Sequence, residues 1–180
     1  LLQETPDTSE ALATIPVLKL DDLDRNVRMI PSVELSQGGV RLLHHDLFTN
    51  GIIYLDLGFD LHALPQELLP YVPLFARALL ETGTTELDFV QLVQRIGSST
   101  GGIYHALFNS SIPATRKASN WLFLRGKAMV SQTSELLAIL QDVLRSARLD
   151  DRERLRQMIL EDKAGFESML TDVGHRVVNS

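Results

Sequence analysis

The chain has 180 residues, of which 44% are hydrophobic and 22% are charged, and its formal net charge is −6. This composition is typical of a folded globular domain and excludes disorder over most of the chain. The acidic balance excludes a general phosphate-binding surface and hence a nucleic-acid partner, and the lack of cysteine excludes disulfides, cysteine–zinc sites and thiol nucleophiles.

The densest apolar stretch, residues 68–80, contains Pro70, Pro73 and Arg77. The sequence therefore predicts no membrane-spanning helix and no membrane partner. The first residue, Leu1, is not an initiator methionine, and no signal peptide is visible. We therefore expect a fragment of a longer, cytoplasmic chain.

Residues 1–31 carry scattered proline and acidic residues with little periodicity, which predicts a linker or arm with one short helix near residues 20–27. We expect a single α/β domain over 32–180. It opens with a hairpin around residues 33–43, because apolar residues flank a Ser-Gln-Gly-Gly turn.

The clearest strand is predicted over residues 53–61. Ile53, Leu55, Leu57, Phe59 and Leu61 alternate with more polar residues, so the apolar set is expected on a buried face. The other face meets solvent, which indicates an antiparallel or mixed sheet.

Helical periodicity follows the strand. Residues 65–69 predict a short turn, and the main helix begins near Pro70 and ends at Gly83. Asp88 with Gln91 forms a capping-box pattern that opens a second helix.

Two more strands are predicted over residues 103–109 and 120–127, with Trp121 and Phe123 assigned to the core. The last two helices are expected to begin at Ser131 and at Asp150 with Glu153. The order β-β-β-α-α-β-β-α-α indicates an α+β two-layer sandwich, with a mainly antiparallel sheet and paired helices on one face.

The candidate catalytic residues are weak. The five histidines lack the i, i+4 spacing of a helical zinc site, and they are His44, His45, His62, His105 and His175. His62 lies near Asp60, which suits a local hydrogen bond as well as an acid–base pair.

The loop 98–102 ends in Gly-Gly but leads from helix to strand without a lysine, so a tight turn is favoured over a phosphate cradle. Alternating charges over residues 152–167, Arg154 among them, are expected to form a solvated helix surface.

Two longer stretches carry a resemblance to a known family. Residues 47–61 (LFTNGIIYLDLGFDL) and 64–75 (LPQELLPYVPLF) resemble the opening of the third domain in presequence-protease-like members of the pitrilysin family of zinc metallopeptidases. Residues 15–23 (IPVLKLDDL), 100–102 (TGG) and 161–163 (EDK) continue the similarity, which covers nearly the whole chain.

The resemblance implies two homologous halves that close as a clamshell around unfolded peptides, with zinc held in another domain by an H-x-x-E-H helix and a distant Glu. Here the corresponding positions are Leu74, Arg77 and Ala78, which cannot hold zinc, and the distant Glu corresponds to Glu161, left without a metal. The resemblance therefore implies no cofactor and no activity in this segment, although the parent enzyme uses zinc.

Three functions stay open at this point. The first is a non-catalytic domain of such a peptidase, whose partners are the remaining domains of the same polypeptide and unfolded peptide substrates. The second is a stand-alone peptide-binding or protein-interaction module with a degenerate peptidase fold. The third is an unrelated hydrolase that uses His44, His45 or His62 with Asp60.

Overall fold

The computed structural model describes residues 6–26 and 29–178, without the side chains of residues 171, 172 and 174–178. It divides into two compact units, one up to Phe48 and one from Thr49 onward. Each unit is described by itself. The division into an arm over 1–31 and one domain over 32–180 stays a prediction.

The first unit contains two short helices and a hairpin. Helix α1 spans Ser9–Ala13, and a 3₁₀ turn spans Leu20–Asp22, which is shorter than the helix predicted over 20–27. Val27, the last residue of that prediction, lies outside the described residues.

The predicted hairpin is confirmed. Strand β1 (Val33–Gln37) pairs antiparallel with β2 (Val40–His44). Gly38 and Gly39 connect them with φ of 60° and 80°. Positive φ at both central residues is what a two-residue type I′ turn requires, and glycine meets that requirement at little cost.

The second unit is built on a three-stranded antiparallel sheet in the order β3-β5-β4. The strands are β3 (Ile52–Asp60), β4 (Ile103–Ile112) and β5 (Lys117–Met129). The α+β class with antiparallel sheets is therefore confirmed. β5 is central and pairs along its length with both neighbours.

Helices follow the sheet strands in pairs. Two 3₁₀ turns, Leu61–Ala63 and Gln66–Tyr71, lead into α2 (Val72–Glu81), and α3 spans Phe89–Ser99. After β5, a 3₁₀ turn at Val130–Gln132 leads into α4 (Thr133–Ser146), which is followed by α5 (Arg152–Val178).

Helix boundaries agree with the expected signals in part. The capping box of Asp88 and Gln91 is present at α3. The start predicted at Ser131 is wrong, because that residue lies inside the 3₁₀ turn before α4. At α5 the cap is Asp151 rather than Asp150, since Asp151 Oδ1 accepts the backbone N–H of Arg154 at 3.0 Å.

The main core lies between the helices and one sheet face. It joins Leu124 and Ile103 of the sheet to Leu92 of α3 and to Leu136 and Ile139 of α4. All but Ile103 are fully buried. Close-packed interiors of this kind contribute most of the stability of a small domain.

The face assigned to Trp121 and Phe123 is wrong. Both alternate with the buried Leu122 and Leu124, so they lie on the sheet face away from the core and are only half-buried. Phe59 has the predicted buried parity but stays 39% exposed near the end of β3, whereas the adjacent core position, Leu61, is buried.

Helix α5 is longer than the core that it contacts. Its 27 residues extend roughly 40 Å at 1.5 Å per residue. Of the apolar stripe predicted along it, Met158 is buried, whereas Ile159, Phe166 and Met169 are exposed. Only the first turns of α5 therefore contribute strongly to the core.

Candidate functional site

Helix α2 carries the three positions that the resemblance assigns to a degenerate metal motif. Leu74, Arg77 and Ala78 are three and four residues apart, which places them on one side of the helix. Leu74 is half-buried and Ala78 is buried. The charged group at this place is the guanidinium of Arg77, whose side chain is 19% exposed.

The Arg77 guanidinium links α2 to α5. Within α2, Nε and Nη2 donate to the two carboxylate oxygens of Glu81 at 3.1 and 3.0 Å. From α5, Asp162 Oδ1 accepts from Nη1 at 2.8 Å, the Met158 carbonyl accepts from Nη1 at 3.1 Å, and Glu161 Oε2 accepts from Nη2. Every nitrogen of the guanidinium thus has an oxygen partner.

Arg154 is a second arginine at the same junction. Its Nε donates to the carbonyl oxygen of Glu81 at 2.9 Å, and its Nη2 donates to the Glu81 carboxylate at 3.1 Å. Because Glu81 ends α2, this contact satisfies a carbonyl that has no partner within the helix. The guanidinium carbon also lies 4.3 Å from the Phe89 ring centroid, which adds a cation–π contact to α3.

We call Arg77, Glu81, Arg154, Glu161 and Asp162 the α2–α5 ion cluster. Hydrogen bonds to Glu81, and then to Glu161, raise the pKa of Arg77 above its ordinary value. The hydrogen bond from Arg77 lowers the pKa of Glu161. Each charge therefore stabilises the ionised form of its partner.

This cluster is suited to fastening helices together rather than to metal chemistry. A guanidinium has five donors and no lone pair for a metal, and it keeps its proton in proteins. Glu161, which the resemblance leaves without a metal, has the guanidinium of Arg77 as its partner. The residues of this helix pair do not fit a zinc ion.

The Glu161 contact leads to a pH-dependent prediction. Because the folded pKa is lowered from 4.5, the stability that Glu161 contributes is present above about pH 4.5 and is lost as the pH falls through the folded pKa. We expect Glu161→Gln to be less stable than wild type near neutral pH, with the difference narrowing below about pH 4.5.

Thermal unfolding at several pH values between about 7 and about 3 measures this difference. Glu86→Gln is the matched control, because the exposed Glu86 carboxylate has no ion pair within the described residues. A Glu161→Gln deficit that stays constant over the whole pH range would contradict the coupling to Arg77.

The structure brings Asp60 and His62 together as the sequence suggested. Asp60 Oδ1 accepts the backbone N–H of His62 at 2.9 Å and lies 2.7 Å from His62 Nδ1. These two hydrogen bonds lower the pKa of Asp60, with the backbone contribution the larger. Both side chains are about half exposed, at 50% and 51%.

The other histidines are not brought together with them as a site. His45 Nδ1 lies 3.0 Å from the Pro31 carbonyl, His44 ends β2, and His105 is half-buried on β4. The side chain of His175 lies outside the described residues. Among the residues that the structure describes, no group of three or more His, Cys, Asp or Glu side chains is placed to hold a metal ion.

The Gly101-Gly102 loop is a tight turn that brings β4 alongside β5. The Gly101 N–H donates to the Lys127 carbonyl at 2.7 Å, and Lys127 N–H donates back to Gly102 at 3.3 Å. Gly102 has a φ of 110°, which strongly favours glycine. Its backbone groups are therefore used in the sheet rather than turned toward a phosphate.

Sequence reasoning missed two members of the ion cluster. Glu81 was detectable, because it follows Arg77 at the i, i+4 spacing of a helical ion pair. Arg154 was assigned to a solvated surface, but its side chain is only 17% exposed. No signal within α5 itself distinguishes Arg154 from its exposed neighbours.

The fold and the cluster define an α+β domain whose metal-equivalent positions are filled by an arginine-centred ion cluster. The family model described as peptidase M-16C associated matches residues 1–180. The chain belongs to that family, and its resemblance to presequence-protease-like peptidases is confirmed.

Relatives of the chain are much longer proteins. It is 40% identical over 177 residues to presequence protease 1, chloroplastic/mitochondrial, of Arabidopsis thaliana, covering 98% of the chain and 16% of that protein. It is 35% identical to protein HypA of Clostridium perfringens, over 97% of the chain and 18% of that protein. Identity to the mitochondrial presequence protease of Danio rerio is 27%, over 93% of the chain and 16% of that protein.

The chain thus spans 16% to 18% of these relatives, and further domains accompany the corresponding segment in them. Within the described residues, none of the helices combines the length and the apolar character needed to cross a bilayer. Cytoplasmic localisation stays a prediction.

Proposed function

We propose that this chain is a non-catalytic domain of a presequence-protease-like zinc metallopeptidase, and that it helps to form the clamshell chamber in which unfolded peptides are hydrolysed. The family membership and the small share of each relative that it matches support a role within a larger polypeptide. Its partners are then the remaining domains and the peptide substrate.

The observation that carries the proposal is the position of Arg77. Zinc hydrolysis needs neutral imidazole or carboxylate ligands and an open coordination position for water. At the positions assigned to the motif, this chain has the aliphatic Leu74, the cationic Arg77 and the methyl group of Ala78. Glu161 neutralises the guanidinium instead of binding metal.

In this proposal the zinc and its ligands belong to another part of the polypeptide, and this chain supplies structure. The α2–α5 ion cluster then fixes the two helices that would surround the metal in a catalytic copy. The degenerate correspondence of Leu74, Arg77, Ala78 and Glu161 is part of the proposal.

Metal content and peptidase activity test the proposal together. After incubation with zinc and exhaustive dialysis, the purified chain is expected to retain no stoichiometric zinc and to leave an unstructured peptide intact. The complete polypeptide that contains this domain is expected to cleave the same peptide, with a chelator abolishing the cleavage.

Two outcomes would contradict this proposal. Retention of about one zinc ion per chain, with chelator-sensitive cleavage by the chain alone, would make this segment catalytic. Unchanged cleavage by a polypeptide lacking the domain would instead favour the stand-alone interaction module.

A further inference from the structure

The sheet face that is turned away from the core holds an arginine between a carboxylate and an aromatic ring. Asp56 of β3, Arg125 of β5 and Tyr104 of β4 are in register across the sheet. Arg125 donates from Nε and Nη2 to the two oxygens of Asp56 at 3.0 and 2.7 Å. Its guanidinium carbon lies 5.9 Å from the centroid of the Tyr104 ring.

The same arrangement recurs further along the strands without an arginine. Asp60 of β3 is in register with Trp121 of β5, and Trp121 is in register with Phe108 of β4. Directly opposed residues of antiparallel strands share a face with their Cβ atoms about 5 Å apart. A carboxylate and a large aromatic surface therefore lie side by side, and the middle strand contributes the ring instead of a guanidinium.

The indole of Trp121 is fixed in position. Its Nε1 donates to Ser119 Oγ at 3.0 Å, and one side of the ring stacks on Phe123 with centroids 6.1 Å apart. Gly58 gives these rings room, since a Cβ there would lie 2.8 Å from Phe123 and 3.3 Å from Trp121. An indole held in this way offers a prearranged surface to a ligand.

Asp60 retains an oxygen for a ligand. Both hydrogen bonds from His62 end on Oδ1, and within the described residues Oδ2 has no hydrogen bond or ion pair. Asp60 and Trp121 line one side of an open depression of about 500 Å³, which Ile112 and Lys117 border on the projecting β4–β5 hairpin.

We propose that this depression binds the guanidinium group of an arginine side chain presented by a peptide. The planar cation would stack on Trp121 and donate to Asp60 Oδ2, as Arg125 does with Tyr104 and Asp56 within the sheet. The net charge of −6 favours the approach of a basic peptide. This site does not depend on the proposed function.

Lys117 gives the proposal a sign that can be tested. Its ammonium group borders the same depression and repels a cationic guest, whereas it would attract an anionic one. Lys117→Gln is therefore expected to tighten the binding of an arginine derivative. For a carboxylate ligand the same substitution would weaken binding.

Trp121 is the only tryptophan of the 180-residue chain, so its fluorescence reports on this site alone. The probes are N-acetyl-argininamide and its neutral analogue N-acetyl-citrullinamide. We expect a weak but saturable change in emission with the arginine probe, and binding at least about threefold weaker for the citrulline probe.

Asp60→Asn is expected to weaken binding of the arginine probe by at least about threefold. Asparagine can still accept the backbone N–H of His62, so the local turn is kept. Asp150→Asn is the matched control, because it removes one negative charge from an exposed position in the loop before α5 and should leave binding unchanged.

Equal responses to the two probes, no saturable response, or weaker binding in Lys117→Gln would each overturn the proposal. So would Asp60→Asn with wild-type affinity. The probe and Lys117→Gln comparisons leave Asp60 intact, so they decide the question even where Asp60→Asn lowers stability.

Discussion

Leu124→Asp is expected to unfold most of the chain at room temperature. Leu124 is fully buried at the centre of β5 and packs in the core with Leu92 and Leu136. A carboxylate there would lose both its water and the apolar contacts of the leucine, and burial of an unpaired charge costs several kcal/mol. Small domains commonly have only about 5–15 kcal/mol of stability in total.

Two further substitutions turn this expectation into a test of burial rather than of residue type. Leu57→Asp, at a half-buried position opposite Leu124, should be destabilising but less severe. Phe59→Asp should be milder again, because Phe59 is 39% exposed. Chemical denaturation followed by circular dichroism measures the three free energies of unfolding, and equal values would contradict the burial of the sheet face described above.

Arg77→Met is expected to lower the free energy of unfolding by about 2 kcal/mol. The substitution keeps an apolar stem in the helix but leaves Glu81, Glu161 and Asp162 without their shared cation. Solvent screens the last two, whose side chains are 51% and 59% exposed, so the effect is smaller than for a fully buried pair. The carbonyl of Met158 also loses its donor.

Arg125→Met is the matched control for this loss of one arginine. Its bidentate partner Asp56 and its own side chain are 41% and 43% exposed, so we expect a loss below about 1 kcal/mol. Glu161→Gln added to Arg77→Met should recover part of the stability by removing one of the clustered negative charges. Equal losses in Arg77→Met and Arg125→Met, or no recovery, would show that the cluster does not fasten α5 to α2.

Local patterns predicted those parts of the fold that depend on neighbouring residues. The Gly38-Gly39 turn and the Asp88 capping box each involve contacts within about four residues, and both are present. The alternation along β3 predicted which side chains share a face, because a strand has a period of two. It did not predict that Phe59 lies near the edge of the core, which depends on where the helices end.

Trp121, Leu122, Phe123 and Leu124 show why the rest was not predictable. All four are apolar, so periodicity does not reveal which pair meets the helices and which faces away. The ion cluster depended on the same missing information. Arg77 and Glu81 are neighbours on one helix, but Arg154 and Glu161 are more than seventy positions away in the sequence and meet them only after α5 has packed on α2.

The strand order β3-β5-β4 also determines how the sheet can assemble in time. β4 and β5 pair from Ile112 and Lys117 outward, so only residues 113–116 have to close between them. β3 meets β5 first across Asp60 and Trp121, with the whole segment 61–120 in between. The entropic cost of loop closure rises with length, and high contact order slows folding. The β4–β5 hairpin is therefore the template on which β3 is added, after the intervening helices have shortened the distance between its ends.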